Sequence, residues 1–409
     1  MTMMGRTLLL RRRIDPLILG GGVFLLGLML GAGKVAFLFF ALCGLYLALI
    51  RHRACRSAPV VFSGLLLAWS LWQIGLSLLR GEPVSGNRVL SYAAIELAIV
   101  FFPIGLCLVR RPADALATGA RLALLALLVA TPINYLMVGD RVGLGANEAL
   151  FAFVAGVVGL AARLPAVRPW RWLPNGAGWT YLSIVPILLS GTRAALVVVV
   201  FAALADVLRM AGGGRFRVSW KLAIAAGLGL ILLAYPASRM LSERFESGVS
   251  EVQNFEATGD VTGSVDVRLV MWKSALLVIG EHPLIGVGGT HKMEAAGEKA
   301  GRNAYMVTYY QHLHNFILDE AISSGMIGLG LMLSVFASFL VTVFRRTTSR
   351  GLREVSCLLV AFLVSFGSFH GVLLNEWTLI VLFGTMGTVL ATIARQRHFR
   401  PEPDLKGTR

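Results

Sequence analysis

The chain has 409 residues, 56% of them hydrophobic and 15% charged, with a mean hydropathy of +0.73, which excludes a soluble globular domain and places the chain in lipid. The formal net charge of +16 would indicate a nucleic-acid partner in a soluble protein, but here the bases are scattered through short links rather than gathered on one aqueous face, so no nucleic acid is expected. Cys43, Cys55, Cys107 and Cys357 lie in or beside apolar runs, with neither a disulfide framework nor a CxxC metal signature, and read as packing residues.

Taken in order, the N-terminus carries Arg6, Arg11, Arg12 and Arg13 ahead of an apolar stretch with no small-x-small cleavage site, which reads as an uncleaved first helix. Apolar runs then predict about twelve transmembrane helices, an all-α polytopic membrane protein with spans near 16–32, 35–50, 59–79, 89–109, 115–138, 148–163, 176–192, 194–210, 221–237, 320–344, 354–374 and 376–394. We read residues 1–409 as one integral membrane domain, with 238–314 as a long loop between spans nine and ten.

Every second connection is basic: Arg51/Arg53/Arg56, Arg110/Arg111, Arg163/Arg168/Arg171, Arg209/Arg215/Arg217/Lys221 and Arg345/Arg346/Arg350/Arg353. With both termini, these hold 25 of the 38 Lys and Arg. The alternate short links hold only Lys34, Arg80, Arg88, Arg141 and Arg193. The positive-inside rule therefore predicts cytoplasmic termini and an outward-facing 238–314 loop, which holds nine acids and seven bases.

Residues 176–210 must hold two antiparallel spans and their turn, so Arg193 in SGTRAAL is expected near the outer headgroup level. A guanidinium fork there suits bidentate phosphate binding, and equally suits snorkelling to lipid headgroups. In the long loop, Leu269, Trp272, Leu276 and Ile279 have helical spacing behind Arg268, as in a helix lying on the membrane. The chain then turns at His282, Pro283, Gly286, Gly288 and Gly289, a pattern more often a turn than a phosphate cradle.

His312 and His314 lie just before the chain re-enters the membrane, where an imidazole is able to exchange a proton near neutral pH. Asn315 is a good N-cap, and Gly325 with Gly328 offers a small face for close helix packing. No third metal ligand is evident; Asp260 and Asp266 lie in a Gly/Ser/Thr-rich stretch that reads as solvated, and no metal is expected. Inside the apolar runs, Arg121 reads as structural and Glu96 as a possible cavity residue. His370 reads as packing, and Asn375–Glu376 as a solvated turn near the site.

His314, Asn315, the nine residues Phe316–Ser324 and Gly325-Met-Ile-Gly328 together resemble the signature of the O-antigen ligase and polymerase superfamily. The stretch from Arg268 through Trp272 and His282-Pro283-Leu284 to Gly286-Val-Gly288 is similar to the block that precedes it, and Arg193 in SGTRAA to that family's earlier helix-tip arginine. The resemblance implies a glycosyltransferase in a bacterial inner membrane, working at the periplasmic face without cofactor. It would move a glycan from undecaprenyl pyrophosphate to a lipid A-core hydroxyl with inversion. It also implies catalytic roles for His314, Arg193 and Arg268, with His312, Asn315, Gly286, Gly288 and Glu376 as substrate-binding candidates. A ligase is favoured because polymerases of this kind often show two sizeable outer loops and this chain has one. A lipid-linked oligosaccharide flippase is the competing class, against which stands the lack of an evident inverted repeat.

Overall fold

In a computed structural model, residues 3–50, 59–167, 169–211, 249–253, 257, 261 and 263–398 are described. All regular structure among them is helical. In chain order the helices are α1 (Met3–Gly27), α2 (Ala32–Leu49), α3 (Val60–Leu79), α4 (Arg88–Leu106), α5 (Pro112–Val138), α6 (Glu148–Ala162), α7 (Ile184–Leu189) and α8 (Val197–Ala211). Further along come α9 (Ser264–Glu281), α10 (Lys292–Lys299) and α11 (Ala304–Tyr309) within the long loop, then α12 (Phe316–Arg346), α13 (Arg350–Gly367) and α14 (Glu376–His398).

Six of these, α2, α3, α4, α5, α12 and α14, are long and apolar enough to cross a membrane. Their exposed apolar faces, among them Val35, Leu42, Leu79, Val129 and Leu136, would be costly in water and suit hydrocarbon contact. The chain is thus polytopic. Helix also occupies the expected positions of α1, α6, α8 and α13, whereas 221–237 lies outside the described residues. The run expected as a span at 176–192 is instead a 3-10 stretch, Ala177–Ser183, continuing into the short α7. Thr180 donates its hydroxyl to the Gly159 carbonyl, so this piece is held against α6 rather than by a long helix of its own.

The hub is α14, almost wholly buried from Thr378 to Ala394 and packed against α4, α5, α6, α12 and α13. Phe62, Phe336 and Phe383 meet there with Trp69 in one aromatic cluster. Arg121, fully buried in α5, donates to the carbonyls of Ala162, Leu164 and Leu173 and to Asn175. That satisfies its fork on both sides and gives it the structural role its position predicts.

The helices between α8 and α12 form a second small core. Helix α9 buries Val267, Val270, Met271, Ala275 and Val278 against Met293, Ala296, Val307 and Ile322. It is the expected helix, but Leu269 and Leu276 point outward while Trp272 and Ile279 are half-buried. Asp266 differs from expectation: it is fully buried, not solvated. It accepts from the amides of Gly263 and Val267, capping the start of α9, a role its position in the first turn favours. Asp260 lies outside the described residues.

Candidate active site

Two features of the backbone build the site. The first is a break in α12 at Gly325, whose φ of 70° and ψ of −174° lie in a region essentially confined to glycine. Into this break the turn after α9 inserts as a short interlock of main chain. Val287 N donates to Ile322 O at 2.8 Å, Gly288 N to Ser323 O at 3.0 Å, and Met326 N to Pro283 O at 2.8 Å. The approach leaves no room for side chains: a Cβ on Gly325 would lie 2.1 Å from Leu284 O, and one on Gly286 2.4 Å from Ile322 O. Gly325 therefore serves main-chain docking, not the helix-helix packing its spacing predicts. Gly286 and Gly288 are likewise buried in the interlock.

Arg80, in the α3–α4 link, seals this junction by donating to the carbonyls of Ser323, Ile285 and Gly286. Burial lowers its pKa, the nearby Glu82 carboxylate opposing the shift. Trp72 adds a bond from Nε1 to Ser324 O at 3.1 Å.

The second feature is the turn before α12. Asn315 caps it, its side chain accepting from Ile317 N at 3.0 Å and Leu318 N at 3.1 Å, as the sequence predicts. His314 is held at φ 54°, a left-handed conformation uncommon for a residue with a side chain and a marker of stored strain. The surroundings hold it there. Asp319 Oδ1 accepts from Leu313 N at 3.0 Å and from Lys292 Nζ at 2.8 Å, while Trp272 Nε1 donates to Leu313 O at 2.8 Å. Both side chains of the Lys292–Asp319 pair are almost wholly buried. Lys292→Met therefore strands a carboxylate and should cost about 3–5 kcal/mol of stability. Pairing it with Asp319→Asn should recover part of that loss in thermal denaturation of the purified protein.

Around His314 the side chains converge. The His312 ring lies 4.3 Å away between centroids, Tyr310 stands edge-on at 5.4 Å, and His370 lies at 6.4 Å, stacked on Phe366. His370 thus packs as expected, and it also belongs to the cluster. The charge of Arg268, one turn before Trp272 on α9, acts on both His314 and His370. Two buried nitrogens, His314 Nδ1 and Arg268 Nε, have no hydrogen-bond partner among the described residues. An unmade buried bond costs on the order of 1–3 kcal/mol, a cost the surrounding fold must offset.

Burial, then the charges of His312, Arg268 and His370, push the His314 pKa down to about 3. Burial and the Arg268 charge take His370 to about 4, and burial lowers His312 as well. All three imidazoles are therefore neutral at physiological pH. The unfolded chain, with histidines near 6.5, binds more protons than the folded one as pH falls. Stability is hence greatest above about pH 6.5 and declines below it toward pH 4, and His370→Gln should flatten the decline in melting temperature measured against pH.

Arg193 sits exposed at the tip between α7 and α8, opening the 3-10 turn Arg193–Leu196. The tip is clamped by Arg141, which donates to Ser190 O at 2.9 Å and to Thr192 Oγ1 at 3.3 Å. The charge of Arg141 also reaches His370. Arg141 therefore links the Arg193 tip to the histidine cluster, a role the sequence did not single out. Glu376 pairs with Lys34, whose ammonium lies 3.9 Å from the Trp377 ring centroid. Together they mark the adjoining rim. Asn375 caps α14 by accepting from Trp377 N at 2.9 Å, so it is a structural cap rather than a free turn.

Arg88 donates to Gln311 on the other rim. Below the cluster, the buried Glu96 and half-buried Glu320 lie beside Trp69, Gln73 and Asp319, around a space large enough for about one water. Glu96 is thus a cavity residue. Among the described residues no group of three or more His, Cys, Asp or Glu is placed to hold a metal ion.

Residues 178–333 match the family model described as O-antigen ligase. The segment is thus similar to an O-antigen ligase domain. It agrees with the resemblance carried by the His314–Gly328 signature and takes in Arg193, Arg268, Gly286, Gly288, His312, His314 and Asn315, while Glu376 falls beyond it. No curated protein matches the chain. The matched segment is not a separate body in the fold: Arg80, Trp69 and Trp72 from α3 and its following link, and His370 from the turn before α14, contact it from outside its bounds.

Proposed function

We propose that the protein is an O-antigen ligase that transfers a glycan from undecaprenyl pyrophosphate to a hydroxyl of the lipid A core. The acceptor oxygen attacks the anomeric carbon as the bond to the pyrophosphate oxygen breaks and its electron pair leaves with the phosphate. Attack from the opposite face inverts the centre. The supporting observation is a neutral, strained imidazole, His314, within reach of the Arg268 charge at one end of the bundle, each with a buried nitrogen lacking a partner among the described residues.

In this reading Arg268 and Arg193 stabilise charge gathering on the leaving phosphates, and Arg141 holds the Arg193 tip in register. His314 takes the proton of the acceptor hydroxyl. With Nδ1 sealed from solvent, Nε2 is the nitrogen left for that hydroxyl. A free-state pKa of about 3 makes a weak base, but the bound pyrophosphate brings negative charge beside the ring and raises it toward the useful range. No cofactor enters the scheme. His312 and Asn315 set the position of His314, and Glu376 lies at the rim.

The same reading includes about twelve spans in the bacterial inner membrane, cytoplasmic termini and a periplasmic site, resting on the alternation of basic links. The test is genetic and then chemical. Deleting the gene should leave bare lipid A core on a surface-polysaccharide gel while polymer accumulates on its carrier. Purified protein should then join the two in detergent without nucleotide sugar. A core carrying a single repeat after deletion would identify a polymerase instead, and normal surface polysaccharide would remove both.

A further inference from the structure

The end of the bundle away from the histidines carries a second built feature. Helix α4 begins at Arg88 beside the site and ends at Leu106, and α14 begins at Glu376 on the site's rim and ends at His398. Between those far ends lies an open cleft of about 1220 Å³, mouth included, lined by Arg110, Arg111, Asp114, Val167, Ser349 and Arg395 among others. Three guanidinium groups thus face one carboxylate, and that carboxylate is engaged: Asp114 Oδ1 accepts from Val167 N at 2.9 Å.

Basic residues in a link satisfy topology wherever they point, so it is the architecture of the cleft that distinguishes these. Its wall at 165–167 is fixed from behind. Asn175 accepts from Ala166 N at 2.9 Å and donates to Ala166 O at 2.7 Å, and the buried Arg121 holds Asn175 and the neighbouring carbonyls in turn. Arg395 is anchored on the opposite side by donating to Cys107 O at 2.6 Å. Arg111 is turned into place by a left-handed backbone, φ 63°, immediately before Pro112 opens α5. Non-glycine residues hold that conformation at a cost, which the surrounding structure must impose. The positive ends of α5 and α13 add to the field.

We propose that this cleft binds a phosphate-bearing anion, its place at the end of the bundle favouring the phosphodiester headgroup of an anionic membrane lipid. The chemistry follows from the side chains: all three bases are arginines, whose planar forks match phosphate oxygens in pairs, where lysine offers a hydrated point charge. The pre-set wall means little ordering is lost on binding. Basic pockets between membrane helices have this selectivity when they face a charged leaflet. The site is independent of the glycan-transfer reading, since none of its residues touches the histidine cluster.

The test uses the full chain purified in an uncharged detergent, with binding read by native mass spectrometry and melting temperature. The probes are short-chain phosphatidylglycerol, phosphatidylcholine of the same chain length, and inorganic phosphate. Phosphatidylglycerol should bind and raise the melting temperature while phosphatidylcholine does not, and Arg111→Gln with Arg395→Gln should weaken it at least about tenfold. Asp114→Asn keeps the acceptor for Val167, removes the opposing charge and should bind more tightly, a gain that a misfolded variant cannot mimic. A response to inorganic phosphate alone, lost in the arginine double variant, assigns the same site to a soluble anion. Equal binding of the two lipids with no response to phosphate, or unchanged binding in the double variant, overturns the proposal.

Discussion

Arg268→Ala should lower glycan transfer by about 10²- to 10³-fold while leaving the protein folded and its melting temperature nearly unchanged. The figure is that of one preorganised donor aimed at charge that develops only in the transition state. Arg268 is half-buried on α9, at the edge of the face that carries Val267, Met271 and Ala275, so its loss should reduce transfer more than packing. His314→Ala should cost about 10²- to 10⁴-fold, the range of a positioned general base.

Because the Arg268 charge acts on His314, the two losses should not add: the double variant should fall well short of the product of the single effects. Arg193→Ala should also reduce transfer, and Arg193→Lys should restore it poorly if a paired fork is what matters. Measured turnover of purified variants on a carrier-linked glycan decides this. Near-normal rates in Arg268→Ala and His314→Ala would remove the catalytic assignment while leaving the fold untouched.

Gly325→Val should abolish the folded state, whereas Gly330→Ala, five residues along the same helix, should be neutral or slightly stabilising. At Gly325 a side chain meets the Leu284 carbonyl at 2.1 Å and must also adopt a backbone conformation that only glycine holds without strain of about 1–3 kcal/mol. The clash cannot be relieved by a rotamer, since the atoms met are main chain. At Gly330 an added Cβ meets nothing within 4 Å, and removing glycine from a helix interior gains about 0.4–1 kcal/mol. Yield of monodisperse protein and thermal melting report both. A well-folded Gly325→Val protein with normal transfer would mean that the main-chain interlock between 283–288 and 322–327 is dispensable.

The interlock also ties together residues far apart in the sequence. Gly325 opens the helix, Gly286 lets a second main chain enter, and Asn315 starts the helix at a fixed distance from the break. His314 is thereby placed a set rise above the junction. Arg80 crosses from another part of the chain to close it, so the α3–α4 link is as much a part of the site as the loop that carries the histidines.

The amino-acid sequence by itself determined the membrane character of the chain, the positions of most helices, the Asn315 cap and the stretch that matches the O-antigen ligase family model. Apolar run length, capping chemistry and a spaced motif are local properties, legible without a partner. Tertiary structure alone decided which side chains meet. Lys292 in a polar loop carries no local sign that it will neutralise Asp319, Asp266 gives no hint of full burial, and Arg141, Arg80 and His370 become part of the site only because helices distant in sequence end at the same level. The same holds for Gly325, which reads as a packing glycine until a second main chain is seen entering the break. Burial and pairing are properties of the assembled bundle, fixed by what lies across a helix face rather than along it.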